Sequence, residues 1–563
     1  MSVHSPEGSR AFRAARDVLL DHHGDLTGAR NAFSWPSLTH FNWAFDWFDV
    51  LAEGNAKTAL HLVGPGTTDD ELISYDELSL RSGQVAHWLR DLGVRRGDRI
   101  LIALYNGRAL WETMLAAIKL GAVVVPTYAT ATPDDLADRL SRAKVKHVLT
   151  DASLTGRFAG APGALTRIAT GERVPGWLSY EDSWTASGER FVPEVLTRAS
   201  DPLFLYFTSG TTSRPKMVAH THSSYPVGHL SGMFWNGLRP GDTHLNISAP
   251  GWAKHAWSSF FVPWNAEATV VALTDPRPAA ADILDALRTR SVTSFCAPPT
   301  IWRGLLAEGL GTVPPVLREA TCAGEPLEAS LVDRVAGAWG VQVRDGYGQT
   351  ETTAQLGHIS GARTTPGTMG SVLPGYDVVV VDPASGLPTA PGATGELCLE
   401  LANRPMGLMT GYLDDEEKTA RAFADGRYHT GDLVSLGVDG ALRYAGRDDD
   451  MFKSFDHRIS PLELERVLLR HPAVAQAAVV PVPDPVGLWV PKAFVVLAPD
   501  WLDRDGAAGA LLDFAATELP PELAVRVVEI AARLPMTVSG KVRRAALRAS
   551  GTLGGPEVRA GLV

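Results

Sequence analysis

The run Thr208-Ser-Gly-Thr-Thr-Ser-Arg-Pro-Lys216 gathers hydroxyls, a glycine and a lysine directly behind the apolar stretch 203–207. Such a composition suits phosphate. Gly210 lets backbone N–H groups approach phosphate oxygens closely, and the hydroxyls of Thr208, Ser209, Thr211 and Thr212 add donors beside the Lys216 ammonium. The order of glycine, lysine and hydroxyl differs from GxxxxGK[ST], so this is not that phosphate loop. Taken alone, the run also fits an ordinary Ser/Thr-rich surface turn.

Five further stretches follow it in order: Ala323-Gly-Glu-Pro-Leu327, Gly346-Tyr-Gly-Gln-Thr-Glu351, Tyr428-His-Thr-Gly-Asp432, Gly446-Arg-Asp-Asp-Asp450 and Pro535-Met-Thr-Val-Ser-Gly-Lys-Val-Arg543. With the first run they resemble the motifs of the adenylate-forming family of acyl-CoA synthetases, luciferases and peptide-synthetase adenylation domains. The look is closest to medium-chain and benzoate-like acyl-CoA synthetases, over nearly the whole chain after about residue 40. The resemblance implies an AMP-forming acid–thiol ligase. ATP and Mg²⁺ would serve adenylation of a small or medium carboxylate, and CoA would be the second substrate.

The resemblance also implies roles, each with a physical reason. The loop from Thr208 to Lys216 would hold the phosphates, and Gly324, Glu325 and Pro326 would line the adenine. Tyr347 offers a flat π face to the base, with Gly348, Gln349 and Thr350 continuing the contact. Asp432 would accept from the ribose hydroxyls, with Arg447 nearby. Glu351 would hold Mg²⁺, a hard cation that prefers carboxylate oxygen. Lys541 would neutralise charge on the α-phosphate and the attacking carboxylate. Thr208, Glu351, Lys541 and Arg458 make up the implied catalytic set. No protein nucleophile is needed, because the substrate already carries the attacking charge. The C-terminal domain would rotate about Asp449 between half-reactions, bringing Arg458 near the nucleotide in the second arrangement.

Two features depart from the family pattern. Asp456 precedes His457-Arg458 where the family has glycine along the pantetheine channel, and a carboxylate there would crowd and charge an apolar tunnel. The region lining the acyl site reads Gly251-Trp-Ala-Lys-His-Ala-Trp257, placing Trp252, Lys254 and His255 in the substrate pocket together with Gly348, where a Trp would leave room only for the smallest acyl groups. Burying a cation costs several kcal/mol unless it is paired. Lys254 and His255 therefore either recognise a polar or anionic substrate or face solvent beside core tryptophans. An alternative function follows: adenylation of a small inorganic anion such as nitrite, with transfer to an amine in place of CoA.

These residues need a frame. Ser74 and Glu77 form a capping-box pattern ahead of a helix that Gly93 ends. A strand at 100–104, a helix at 110–120, and an apolar strand at 122–125 continue the alternation, which is the grammar of an α/β fold with mainly parallel sheets flanked by helices. The segment 151–200 gives no readable pattern. A strand-rich stretch at about 369–445 predicts a β-subdomain within an N-terminal domain of residues 1–447, and 448–563 predicts a small mobile α+β domain.

The chain has 563 residues and a formal net charge of −11, from 52 Lys and Arg against 63 Asp and Glu. There is no pervasive positive field, which excludes nucleic acid as the main partner. Cys296, Cys322 and Cys398 lie far apart without CxxC spacing, which argues against a disulfide framework and a zinc site. No apolar stretch reaches the roughly 20 residues that span a bilayer, so a cytoplasmic enzyme without membrane contact is expected.

Overall fold

The computed structural model describes residues 5–66, 70–161, 163–208, 215–454, 457–484, 488–502, 506–520, 523–536 and 542–560. Contacts group the chain into two units: Met1–Val378 with Glu400–Arg427, and Val379–Leu399 with Tyr428–Val563.

In the first unit the local signals act as their chemistry requires. The Ser74 hydroxyl accepts from Glu77 N at 3.1 Å and starts the helix Tyr75–Asp91, satisfying one orphan donor of its first turn. The Glu77 carboxylate does not close the box; it pairs with Arg108 instead. The helix Arg108–Leu120 ends at Gly121 in the left-handed region, φ 68°, where a side chain is disfavoured. The strand Val123–Pro126 buries all three of its valines.

Two large sheets result. The eight-stranded sheet runs in the order Gly411–Tyr412, Lys216–Thr221, Pro202–Thr208, Val123–Pro126, Arg99–Ala103, His147–Asp151, Thr166–Thr170, Leu178–Ser179. It is parallel from Pro202–Thr208 onward, while its first two strands pair antiparallel. The stretch 151–200, unreadable in the sequence, supplies its last two strands. The nine-stranded sheet has a parallel centre that includes Glu319–Ala323 and Val343–Gln349, extended antiparallel by Thr353–Gly357.

Residues 253–265 connect the two sheets. The helical stretch widens to an i→i+5 turn, with Val262 N bonded to Trp257 O, a distortion frequent at functional sites. Within it Ser259 O accepts from Trp111 Nε1 at 2.9 Å, on the side of the eight-stranded sheet. Trp264 Nε1 donates to Ala59 O at 3.0 Å, on the nine-stranded one. Trp43, Trp47, Phe260 and Phe261 fill the space around these bonds and are fully buried, so each indole both packs and finds an acceptor.

The second unit holds a four-stranded sheet of Val378–Val381, Thr394–Glu400, Arg427–Leu436 and Leu442–Arg447, and a smaller α+β core. That core packs the helices Pro461–Leu468 and Ala507–Glu518 on the sheet of Val474–Asp484, Leu488–Leu497, Val527–Ile530 and Glu557–Arg559. The sequence places the predicted β-subdomain with the N-terminal domain; contacts leave its strands Ser371–Val372 and Gly411–Tyr412 in the first unit and group most of its four-stranded sheet with the C-terminal segment. The bonds show why: Ser460 Oγ donates to Ala445 O at 2.6 Å and Arg466 to Tyr444 O at 3.1 Å, joining the first helix of the core to the last strand of that sheet. Among the described residues no helix is long and apolar enough to cross a membrane.

Candidate active site

The strands Pro202–Thr208 and Lys216–Thr221 form a hairpin in which Thr208 lies opposite Lys216. Both ends of the phosphate-type run therefore sit together at a strand terminus. Ser209, Gly210, Thr211 and Thr212 lie outside the described residues. The neighbouring strand Gly411–Tyr412 brings Tyr412 to this corner: Lys216 Nζ stands 5.1 Å from the centre of its ring, and its hydroxyl donates to Glu351 Oε1 at 3.1 Å. Tyr412 thus touches both the cation and the carboxylate that the sequence singled out. It carries no motif signal of its own, which is why sequence reasoning passed over it.

Glu351 is 9% exposed and lies within a tight, strained turn. Thr353 has φ 59°, an outlier for a β-branched residue and of a kind that collects at active sites. Tyr376 holds the turn by donating to Thr352 O at 2.6 Å, and Gln349 N donates to Thr352 Oγ1 at 3.1 Å. His220 Nε2 bonds to Thr350 O at 2.7 Å. Burial brings the His220 imidazole down to about 4, so the ring is neutral at pH 7 and Nε2–H is the donor. Tyr347, Gly348, Gln349 and Thr350 are all half-buried along this segment. Besides the space it was expected to leave for substrate, Gly348 serves the turn: an added Cβ would lie 1.9 Å from Thr353 O.

The Asp432 carboxylate sits 4% exposed in the second unit. Tyr444 Oη donates to its Oδ1 at 3.0 Å, and Arg447 does so at 3.3 Å from the partner position of the next strand. Arg447 Nε also reaches Asp449 Oδ1 at 3.5 Å. Burial alone would lower the Arg447 pKa; Asp432 and Asp449 more than offset it and hold the guanidinium charged. Glu396 fixes the loop before Asp432 by accepting from Gly431 N at 2.8 Å and bonding His429 Nδ1 at 2.9 Å. No spacing in the sequence points to a second ligand cluster, yet Glu396, Cys398 and His429 bring one ligand atom each within 4.8 Å. His429 Nδ1 faces both Glu396 and Cys398, while its buried Nε2 meets no partner among the described residues.

Lys254 and His255, adjacent on the short helix Ala253–Ala256, face different surroundings. Lys254 Nζ donates to Ala323 O at 3.1 Å, at the start of the Gly324-Glu325-Pro326 segment. This bond to the backbone of another strand leaves Lys254 half-buried, with further donors on its ammonium. Arg303 reaches Glu325 at 3.4 Å in the same segment. Nearby, burial pushes the Asp345 carboxyl up to about 8, against a bond from Gly346 N and the field of Lys254. His255 is buried and lines a cavity with Trp252, Tyr206, Leu110, Met114 and Val124. Trp252 stacks on Tyr128 at 5.1 Å. Gly251 (φ 96°) lies so close to the backbone of residues 127 and 128 that a Cβ would fall 2.3 Å from Tyr128 N.

Lys541 and Asp456 lie outside the described residues. Arg458 belongs to the strand His457–Ile459 opposite Lys453.

The AMP-binding enzyme family matches residues 48–413, and the AMP-binding enzyme C-terminal domain matches residues 463–541. A 4-hydroxybutyrate–CoA ligase of Metallosphaera sedula is 38% identical over 91% of this chain and 91% of its own length. A mitochondrial acyl-coenzyme A synthetase of Mus musculus is 34% identical over 95% of this chain and 90% of its own. Among solved structures, an anthranilate CoA ligase in complex with anthranoyl-AMP superposes with a TM-score of 0.82 at 26% identity, covering 91% of this chain and 97% of that one. A benzoate CoA ligase from Burkholderia xenovorans gives 0.78 at 28% identity, covering 90% and 100%. With six ordered motifs, two matching domains and relatives aligned over nine-tenths of its length, the chain belongs to the AMP-binding enzyme family.

Proposed function

We propose that the protein is an AMP-forming acyl-CoA ligase for a small or medium carboxylate, working in two half-reactions. The carboxylate attacks the α-phosphorus of ATP, pyrophosphate leaves, and the acyl adenylate is then opened by the thiol of CoA with release of AMP. The corner where Tyr412 joins Lys216 to Glu351, at the ends of the 208–216 loop, is the observation that carries this reading. The loop and Lys216 hold the phosphates, Tyr347 and the 323–327 segment take the adenine, and Asp432 takes the ribose hydroxyls with Arg447 as its partner. Glu351 suits Mg²⁺: one oxygen is fixed by Tyr412, and a single carboxylate is a fitting protein ligand for an ion that keeps phosphates and waters as its others. When bound, the ion would offset charge on the phosphates. Lys541 orients the substrate carboxylate and meets the charge developing at phosphorus.

Rotation of the C-terminal segment about Asp449, at the 447/448 boundary, separates the two half-reactions and brings Arg458 to the nucleotide. The relatives above named as CoA ligases or synthetases favour CoA over an amine acceptor, and Asp456 is then a tolerated variation in the thiol channel. A cytoplasmic location accords with three free, buried cysteines.

The test is pyrophosphate release with ATP and Mg²⁺ across short, medium and aromatic carboxylates and nitrite, each with and without CoA. Turnover that needs both a carboxylate and CoA is the expected result. Turnover with nitrite, or with an amine and no CoA, would replace the second half-reaction.

A further inference from the structure

The cavity beneath residues 250–256 is apolar on most sides, lined by Ile102, Leu110, Met114, Val124 and Pro126, but two polar side chains break that lining. Tyr206 is 2% exposed, and among the described residues no group meets its hydroxyl with good hydrogen-bond geometry. Its polar neighbour is the Tyr225 hydroxyl, which interacts with it beyond good hydrogen-bond geometry and is itself held by accepting from Trp257 Nε1 at 3.2 Å and donating to Ala253 O at 3.5 Å.

The second polar group is His255. Asn106 donates its amide to Leu273 O at 2.9 Å, which turns its Oδ1 toward His255 Nε2 at 3.1 Å. Nε2 must then carry the ring proton. Burial brings the His255 pKa down to about 3, so the ring is neutral and Nδ1 is a bare acceptor. One donor and one acceptor, set in an apolar void, match a group that both donates and accepts. A methyl satisfies neither, and a second carboxylate would meet the Nδ1 lone pair with its own charge. The void is also narrow, about 10 Å³, the room of about one water molecule. A long tail would have to displace Met114 or Trp252.

We propose that this cavity selects a short carboxylate bearing a hydroxyl, which donates to His255 Nδ1 and accepts from Tyr206 Oη. The inference rests on the ligase reading and on the sequence expectation that Trp252 and His255 line the acyl site. A site built to bond a substrate hydroxyl rejects the analogue that lacks it, because its own buried groups are then left unpaired.

The experiment compares kcat/KM for 3-hydroxypropanoate, 4-hydroxybutyrate and 5-hydroxypentanoate, each beside its unsubstituted acid, with ATP, Mg²⁺ and CoA. At least one hydroxy acid should exceed its parent by about tenfold or more. Tyr206→Phe and His255→Leu should each bring that ratio toward one through loss on the hydroxy acid. Tyr206→Phe removes one buried atom and keeps the ring, so its melting temperature should stay near wild type and its ratio decides the matter even if the histidine variant folds poorly. Parents turning over as well as their hydroxy acids, or a Tyr206→Phe enzyme that keeps the preference, overturns this inference and leaves the ligase reading standing. Absence of ATP- and CoA-dependent turnover in both series overturns both.

Discussion

At Glu351 one bond from Tyr412 Oη fixes one carboxylate oxygen, so the group is oriented before any cation arrives. The residues that do such positioning are distant in sequence from those they position: Tyr412 from Glu351, His220 from Thr350, Asn106 from His255. Motif spacing therefore reveals Glu351, Asp432 and Lys216 but not their supports, because a hydrogen bond across the fold leaves no mark on local composition. Lys254 shows the same limit: its type is visible in the sequence, while its acceptor, a backbone carbonyl of another strand, is not. Lys541 is assigned through its motif, and its role makes a sharp prediction. Lys541→Ala should lower the rate of pyrophosphate release by about a hundredfold or more, the usual cost of removing a group aimed at developing charge. Thiolysis of a supplied acyl adenylate should be far less affected, since that step forms no bond to phosphorus. Equal losses in both half-reactions would remove the lysine from its assigned place.

The elements were most legible where an apolar strand meets a glycine stop. The strand Arg99–Ala103, the helix Arg108–Leu120 and the strand Val123–Pro126 lie within a residue or two of their expected bounds, because burial on both faces and a left-handed Gly121 are written locally. The helix Pro6–Asp21 and the last two strands of the eight-stranded sheet, Thr166–Thr170 and the edge strand Leu178–Ser179, carry no such signal. Short edge strands owe their existence to a neighbour rather than to their own periodicity. What the sequence does not show at Gly348 is the demand of the turn, where an added Cβ would fall 1.9 Å from Thr353 O. Gly348→Ala should therefore destabilise the first unit by about 1–3 kcal/mol, the usual range for overpacking, with a lower urea midpoint. It should also weaken ATP binding by moving Glu351 off its place. An alanine enzyme with wild-type stability and merely altered acyl preference would mean that the turn tolerates a side chain and that Gly348 serves the pocket alone.

For the large unit as a whole, acid stability is set by imidazoles enclosed far from water. Burial holds His220 at about 4, His222, His244 and His255 at about 3, and His229 well below its ordinary value. Each folded-state pKa lies under the unfolded value of about 6.5, so below that pH the unfolded chain takes up protons that the folded chain refuses. Stability is present above pH 6.5 and falls as the pH drops toward 4. Two carboxyls oppose this, Asp46 raised to about 6 and Asp345 to about 8 by burial, since both gain protons in the folded state on acidification. Between pH 7 and 5.5 the five histidines together cost about 6 kcal/mol, and the two carboxyls return about half of it. A net loss of about 3 kcal/mol is a large share of the 5–15 kcal/mol that holds a typical protein folded. Trp43, Trp47, Trp111, Trp235 and Trp264 are buried in this unit, so their fluorescence reports its unfolding in urea. The midpoint should drop markedly from pH 7 to 5.5 at constant salt, and unfolding at pH 5.5 should be accompanied by net proton uptake. A midpoint that stays level or rises would mean that the imidazoles reach water or that the buried carboxyls outweigh them.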